Sequence, residues 1–229
     1  MKANFITWLC CLSFLSGFAQ NPVDVGSLPV NIITSGTDTS KPFVVFMTGD
    51  GGWNKFSQEL TRELAKRGYP VVSLNSNKYF WQKKTPGQNA AAIETLIKTY
   101  QKQWNRTKVL LIGYSFGADV MPFAYYHLSK ELARQVENIT LLSPSSNTDF
   151  EIHVMDMLGG KGSGQSVSAA INKINDKPIV IISGEGETDY KNGELTGKNL
   201  TMVKLAGGHH YDGDEASVAS AIIQNIPKK

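Results

Sequence analysis

The sequence predicts an α/β fold in which a mostly parallel central sheet carries helices on both faces. Two observations support this prediction: short apolar runs recur along the chain, and segments with helical periodicity lie between many of them. Runs that are apolar throughout, rather than alternating, are typical of strands covered on both faces. Strands that alternate with helices form parallel sheets flanked by helices.

Seven apolar runs are the predicted strands, and one segment interrupts their alternation with helices. The runs are residues 30–33, 43–49, 70–74, 108–115, 138–144, 178–183 and 202–208. Residues 145–170 lie between two of these strands and include a Gly/Ser-rich piece, which is typical of flexible loops. We interpret this segment as an excursion over the carboxyl edge of the sheet.

Helical periodicity is clear in three places. Apolar side chains recur every four residues from Phe56 to Leu64, and Gly68 follows at a position where a helix commonly ends. A second apolar stripe covers residues 93–104, and a third lies between residues 213 and 226. Each pattern predicts an amphipathic helix that packs against the sheet.

The first 20 residues, MKANFITWLCCLSFLSGFAQ, resemble a signal peptide rather than a folded element. One lysine precedes an apolar stretch, and small residues stand before Gln20. A transmembrane anchor is the alternative, but the stretch is shorter than the roughly 20 residues that a span needs. We therefore expect a signal peptide over residues 1–19, one globular domain over 20–229, and a periplasmic or secreted protein.

Composition excludes several classes of function. Both cysteines, Cys10 and Cys11, lie in the predicted signal peptide, so the mature protein would have no disulfide, cysteine nucleophile or thiolate metal site. The formal net charge is only +3, and the basic residues are scattered along the chain. The sequence therefore gives no indication of nucleic acid binding.

The segment Gly113-Tyr114-Ser115-Phe116-Gly117 follows an apolar strand and opens a helical segment. In this position the G-x-S-x-G pattern predicts a nucleophile elbow, a tight strand-to-helix turn that exposes a strained serine. The N–H of Phe116 would then be available to bind an oxyanion. The pattern also occurs by chance, and the alternative is a glycine-rich turn without chemistry.

A serine nucleophile needs a base and an acid that orients the base. His209 and His210 follow the last predicted strand, and we prefer His209 because it directly follows a glycine, with His210 as the alternative. The acid should lie between serine and histidine in the chain, where Glu187 and Asp189 both follow a predicted strand. The sequence does not decide between these two acids.

The loop after an early predicted strand, TGDGGW, is the expected source of the second oxyanion donor. Its glycines let backbone amides turn toward the serine, and the N–H of Asp50 is the predicted donor. The carboxylates of Asp50 and Asp119 are both expected near Ser115 and would favour a cationic substrate.

Several segments together resemble the VirJ/AcvB family of bacterial periplasmic proteins. They are TGDGGW (48–53), YFW (79–81) with TP (85–86), GYSFGADVMPF (113–123), DFEIHV (149–154) and GGHHYDGD (207–214). The resemblance implies an α/β-hydrolase fold, export, and hydrolysis of lysyl-phosphatidylglycerol, an aminoacyl ester of a membrane lipid. This chemistry requires neither a metal nor an organic cofactor, and its partner would be an aminoacylated phospholipid or another small ester at the membrane surface.

Two other functions stay open at this stage. A general carboxylesterase or thioesterase would use the same triad on a neutral substrate, with Asp50 and Asp119 incidental. A non-catalytic periplasmic protein that takes part in secretion would need no triad at all, so the presence of Ser115, a histidine pair and nearby acids argues against it.

Overall fold

A computed structural model describes residues 23–152, 164–187, 190 and 193–227 of the chain. The predicted signal peptide (1–19), the candidate acid Asp189 and the middle of the 145–170 excursion lie outside the described residues. No helix among those residues is long and apolar enough to cross a membrane.

A seven-stranded sheet forms the centre of the protein and confirms the predicted mostly parallel arrangement. Its strands, in spatial order, are β1 (Val30–Ile33), β3 (Val71–Leu74), β2 (Phe43–Met47), β4 (Val109–Tyr114), β5 (Val136–Leu142), β8 (Ile179–Gly184) and β9 (Leu200–Leu205). Only β1 runs antiparallel to its neighbour. Every side chain of β2, β3, β4 and β8 is buried, as continuous apolar runs predict for strands covered on both faces.

In the described part of the chain, seven α-helices accompany the sheet. They are α1 (Lys55–Lys66), α2 (Ser76–Tyr79), α3 (Pro86–Gln103), α4 (Phe116–Tyr126), α5 (Lys130–Gln135), α6 (Val167–Asn172) and α7 (Glu215–Gln224). One apolar core packs α3, α4 and α6 against one face of the sheet, and a second core packs α1 and α7 against the other face. The helices predicted from periodicity correspond to α1, α3 and α7.

Polar caps fix where these helices begin. The side chain of Asn54 accepts a hydrogen bond from the Ser57 N–H at the start of α1. At the start of α3, Thr85 and Gln88 form a reciprocal capping box, and a proline occupies the first helical position. These bonds satisfy N–H groups that the first turn of a helix leaves without a partner.

The excursion after β5 is partly regular. A two-residue strand, β6 (Asn147–Thr148), pairs antiparallel with β7 (Gln165–Ser166), which leads into α6. Phe150 and Ile152 are buried in the core beside α3 and α4. The excursion is therefore anchored to the body of the protein at both of its described ends.

Candidate active site

Ser115 occupies a sharp turn between β4 and α4, at the carboxyl edge of the sheet. Its backbone adopts φ 51° and ψ −121°, a region that a residue with a side chain rarely enters. Its N–H donates to the Leu142 carbonyl at 2.8 Å, and its own carbonyl accepts from the Ala118 and Asp119 N–H groups. These bonds hold Ser115 in the strained geometry that the nucleophile elbow predicts.

The two elbow glycines permit a very close approach of strand and helix. A Cβ added to Gly117 would lie 2.3 Å from the Met47 carbonyl oxygen, and one added to Gly113 would lie 2.4 Å from the Gly117 oxygen. Such distances are well inside van der Waals contact, so neither position accommodates a side chain. The glycines are required by packing around Ser115 and not only by the turn itself.

His209 lies between Ser115 and Glu187. Its Nε2 atom is 2.9 Å from Ser115 Oγ, and its Nδ1 atom is 2.7 Å from Glu187 Oε1. Since an ionised carboxylate can only accept, Nδ1 carries the proton in the neutral ring and Nε2 is the acceptor that faces the serine hydroxyl. This arrangement has the connectivity of a Ser-His-acid triad.

Glu187 is held as an ionised acid. Burial opposes its ionisation, but hydrogen bonds from His209, from Ser143 Oγ at 2.6 Å and from the Gly184 N–H at 2.8 Å outweigh burial and lower its pKa to about 2. The hydrogen bond between Glu187 and His209 also raises the pKa of His209 above its ordinary value. Burial opposes this shift, and the charges of Glu187, Asp50 and Asp119 add to it.

Two residues that support Glu187 were not found from the sequence. Ser143, which follows β5 with φ 49°, donates to Glu187 Oε2, and its Oγ lies 2.7 Å from the Tyr211 hydroxyl. The Tyr211 hydroxyl donates to the Ile182 carbonyl oxygen at 2.8 Å. Ser143 directly follows β5, the strand beside β4 in the sheet. Because parallel strands end at the same edge, this position is the signal that could have identified Ser143 as part of the site.

The loop after β8 carries Glu187 and is called the acid loop here; the loop after β9 carries His209 and is called the histidine loop. The backbones of these two loops are in contact. The Gly186 N–H donates to the Gly207 carbonyl at 3.0 Å, and a Cβ on Gly184 would lie 2.3 Å from the Gly208 oxygen. This approach sets the distance between Glu187 and His209. Glycines on both sides are therefore part of how the site is built.

His210, the alternative base, has a different partner. Its Nδ1 atom lies 2.6 Å from the Tyr114 hydroxyl, which also donates to the His209 carbonyl at 3.2 Å. Tyr114 is buried beside Phe56 and precedes Ser115 in the elbow. The structure thus places His209 against the serine, whereas His210 ties the histidine loop to the elbow.

The remaining histidines do not contribute to this cluster. His127 ends α4, is exposed, and has its Nδ1 2.8 Å from the Phe123 carbonyl oxygen. His153 lies outside the described residues. Within the described ranges, no group of three His, Cys, Asp or Glu side chains has the arrangement of a metal site.

The loop after β2 lies directly beside the elbow. A Cβ on Gly49 would lie 3.2 Å from Ser115 Cβ, and the next residue is Asp50. The Asn77 side chain donates to the Asp50 carbonyl at 2.7 Å, and the Asp50 carboxylate accepts from the Gly51 N–H at 2.8 Å. Within the described part of the chain, the N–H groups of Asp50 and Phe116 donate to no acceptor. Both remain available for an oxyanion.

Asp119 lies near Ser115 as predicted, but its surroundings do not suit the predicted attraction of a cationic substrate. It is only 6% exposed, and its two carboxylate oxygens accept hydrogen bonds from the N–H and the hydroxyl of Ser145. Burial raises its pKa to about 7, although the bonds from Ser145 and the charge of His209 oppose that shift. Asp119 therefore anchors the segment after β5 to α4 and does not present a free carboxylate. Of the two acids that were predicted to attract a cationic substrate, Asp50 is the one left beside the elbow.

Comparison with solved structures supports the fold. Est1E from Butyrivibrio proteoclasticus, solved with bound ferulic acid, matches with a TM-score of 0.61 and 14% identity over 86% of this chain and 93% of that chain. The thioesterase domain from the curacin biosynthetic pathway matches with a TM-score of 0.55 and 13% identity over 86% and 99%. Proline iminopeptidase from Mycobacterium smegmatis matches with a TM-score of 0.59 and 8% identity over 86% and 93%. At these identities the likeness shows the fold alone, which is the α/β-hydrolase fold.

Comparison of sequences identifies the family. No curated protein matches the chain significantly. The family model described as bacterial virulence protein (VirJ) matches residues 41–229, which include the elbow, the acid and the histidine loop. The chain belongs to the VirJ family of bacterial virulence proteins.

Proposed function

We propose that the protein is an exported serine hydrolase that cleaves an ester through Ser115, His209 and Glu187. The observation that carries this proposal is the unbroken chain of contacts, 2.9 Å from Ser115 to His209 and 2.7 Å from His209 to Glu187, on a strained elbow. Strain of this kind persists only where the surroundings hold it, and it is concentrated at functional sites.

In the first half of the reaction, His209 Nε2 takes the proton of Ser115 Oγ as that oxygen attacks the ester carbonyl carbon. The carbonyl oxygen becomes an oxyanion, which the N–H groups of Phe116 and Asp50 stabilise. Glu187 stays ionised and stabilises the protonated ring of His209. The C–O bond to the alcohol then breaks, and His209 gives its proton to the departing oxygen.

In the second half, water replaces the alcohol. His209 takes a proton from this water, and the resulting hydroxide adds to the acyl carbon on Ser115. The second oxyanion collapses, the bond to Ser115 Oγ breaks, and His209 returns the proton to the serine. The products are a carboxylic acid and the free enzyme.

The substrate that we propose is lysyl-phosphatidylglycerol, so that the products are lysine and phosphatidylglycerol. Membership of the VirJ family and the segments quoted above support this choice. The Asp50 carboxylate adds physical support, because its charge is close enough to raise the pKa of His209 and would attract the ammonium groups of a lysyl ester.

A general carboxylesterase or thioesterase is the second candidate. The observation that favours it is the burial of Asp119, because only Asp50 is then left to select a cationic substrate. Est1E and the curacin thioesterase domain, which share the fold, bear names of this kind.

Labelling with a fluorophosphonate probe tests the nucleophile. The purified wild-type protein should be labelled, and Ser115→Ala should not be, because the probe reacts only with an activated serine. Ser143→Ala serves as a control, since Ser143 lies behind Glu187 and its variant should still be labelled, though more slowly. Absence of labelling in the wild type would contradict hydrolysis and favour the non-catalytic binding role.

A ratio of rates tests the substrate. The kcat/KM for lysyl-phosphatidylglycerol, divided by that for a neutral ester, should fall in Asp50→Asn because the attraction for ammonium groups is lost. Asp119→Asn is the matched control and should leave the ratio unchanged, since its carboxylate is buried against Ser145. An unchanged ratio in Asp50→Asn would leave the general esterase as the better description.

A further inference from the structure

A basic and aromatic surface lies next to the candidate active site, and neither the triad nor the oxyanion loop uses it. We name it the 78–84 segment; it covers the end of α2 and the turn before α3. Trp81, at the centre of the segment, is 65% exposed, and Lys78 and Lys83, which precede and follow it in the chain, are also exposed. A tryptophan this accessible is unusual, because burying such a ring is strongly favourable.

The charged residues around this segment in the sequence are all basic. No Asp or Glu occurs between Leu64 and Ile93, whereas this stretch contains Lys78, Lys83 and Lys84. Lys84 is half-buried, with its Nζ 5.4 Å from the centre of the Tyr79 ring. The segment therefore presents several ammonium groups around an exposed aromatic ring.

Two cavities flank the segment and share Lys84. One, of about 550 Å³, has walls that include Leu28, Pro29 and Tyr79, with Lys78 and Lys84 at its edge. The other, of about 520 Å³, lies between Lys83, Lys84 and Phe150, and among the described residues that line it Asp149 is the acidic one. Both linings mix polar and apolar residues, and apolar side chains beside ammonium groups suit molecules that have an anionic head and an apolar tail.

The segment is physically joined to the catalytic residues. The buried Phe80 packs edge-on against Phe116, which follows Ser115, with ring centres 5.0 Å apart. Asn77, in the same short helix as Lys78, donates to the Asp50 carbonyl at 2.7 Å. Whatever binds to the 78–84 segment is therefore held beside the elbow and the oxyanion loop.

We propose that the 78–84 segment docks the protein on the surface of a bilayer that contains anionic phospholipid. Trp81 enters the interfacial layer, and Lys78, Lys83 and Lys84 face the lipid phosphates. Tryptophan is the side chain most suited to this layer, because its ring is apolar and its N–H is polar, and lysines gain free energy near an anionic leaflet. The inference rests on the proposed function, since docking brings the elbow to a lipid ester.

Vesicle binding tests the proposal independently of catalysis. The Ser115→Ala protein is mixed with vesicles of phosphatidylglycerol and phosphatidylcholine, or of phosphatidylcholine alone, and the bound fraction is measured by sedimentation at two salt concentrations. Binding should require phosphatidylglycerol and weaken with salt. Lys78→Gln/Lys83→Gln should bind roughly 20-fold more weakly, because each lysine near such a surface contributes about a fivefold gain. Trp81→Ser should also bind more weakly.

Matched variants control for general loss of charge or aromatic surface. Tyr126→Ser removes a ring that is also 65% exposed but lies at the opposite end of α4 from Ser115. Lys102→Gln/Lys130→Gln removes an exposed lysine from the last turn of α3, at the other end of that helix from the segment, and one from the start of α5. Both controls should bind like the parent. Equal losses in control and test variants, or binding to phosphatidylcholine alone, would overturn the proposal.

Activity toward two substrates separates this inference from the proposed function. On a water-soluble ester, Trp81→Ser and Lys78→Gln/Lys83→Gln should keep the wild-type kcat/KM, whereas on lysyl-phosphatidylglycerol in vesicles they should lose it in parallel with binding. Loss on both substrates would mean that the segment supports the triad instead. If the wild type hydrolyses neither ester but still binds anionic vesicles through the segment, the proposed function fails and the docking surface stands.

Discussion

A single hydrogen bond moves the pKa values of two triad residues in opposite directions. The contact between Glu187 and His209 contributes to a pKa of about 2 for the acid and raises that of the base. Each shift favours the charged form of the group, so in the reaction that we propose the pair would stabilise the imidazolium formed when Ser115 gives up its proton. The same contact is the largest cause of the raised pKa of His209, so it raises the pH above which that ring is neutral.

The first prediction concerns the identity of the base. His209→Ala should reduce kcat for ester hydrolysis by a factor on the order of 10⁴ or more, because loss of one triad member disables the whole unit. His210→Ala should cost far less, since its ring contacts Tyr114 and not Ser115. His127→Ala should match the wild type. Comparable losses at His209 and His210 would contradict the assignment.

The second prediction concerns pH. His209 must be neutral to accept a proton, and its pKa is raised, so kcat/KM should rise with pH through a value above the ordinary histidine pKa. Glu187→Gln removes the largest cause of that shift, so the rising limb should move to lower pH while the maximum rate falls. Asp189→Asn should leave the profile in place. A shift in Asp189→Asn but not in Glu187→Gln would identify the other acid as the partner.

At the scale of elements, the contact between β2, β4 and α4 decides where Ser115 lies. The elbow is tight because α4 begins almost in contact with the end of β2, and Gly117 is the residue at that contact. The Met47 and Thr48 carbonyl oxygens occupy the space that a side chain would need. The position of Ser115 is therefore set by packing between three elements.

The third prediction follows from this contact. Gly117→Ala should destabilise the protein by about 1 to 3 kcal/mol and displace Ser115, because overpacked sites relax by shifting backbone. Gly36→Ala is the control, since nothing lies within 4 Å of a Cβ added there. Denaturant unfolding measures both variants, and a neutral result for Gly117→Ala would show that the strand and helix can separate without cost.

The fourth prediction concerns the link between α4 and the segment after β5. Asp119 has a folded-state pKa of about 7, above its unfolded value, so its contribution to stability is greatest in acid and is lost as pH rises from about 4 to 7. Asp119→Asn can keep both contacts with Ser145 but does not titrate. The difference in unfolding free energy between wild type and Asp119→Asn should therefore change by a few kcal/mol between pH 4 and 7.5. A difference that stays constant over this range would contradict a raised pKa for Asp119 in the folded protein.

At the scale of the whole molecule, the parallel sheet gathers the site. The segments after β2, β4, β5, β8 and β9 contribute Asp50, Ser115, Ser143, Glu187 and His209. Residues up to 159 positions apart in the chain meet at this edge because parallel strands end on the same side. The side chains of the candidate site thus come from loops, while the sheet supplies the rigid frame.

The fifth prediction concerns export of the whole chain. The apolar stretch and the small residues before Gln20 predict cleavage after Ala19. N-terminal sequencing of the protein from the periplasmic or extracellular fraction should begin at Gln20. Recovery of Met1 from that fraction would be inconsistent with a cleaved signal peptide, and recovery in a membrane pellet would favour the anchor.

The sequence by itself determined the sheet, the major helices and the elbow. Continuous apolar runs reveal buried strands, helical periodicity reveals α1, α3 and α7, and the glycines around Ser115 reveal a turn, because each of these signals depends on near neighbours in the chain. Tertiary structure decided the rest. It placed His209 rather than His210 against Ser115, brought Glu187 to His209, and buried Asp119 against Ser145. These outcomes depend on strand order and on hydrogen-bond contacts between segments that are far apart in the chain. No local sequence pattern encodes such contacts.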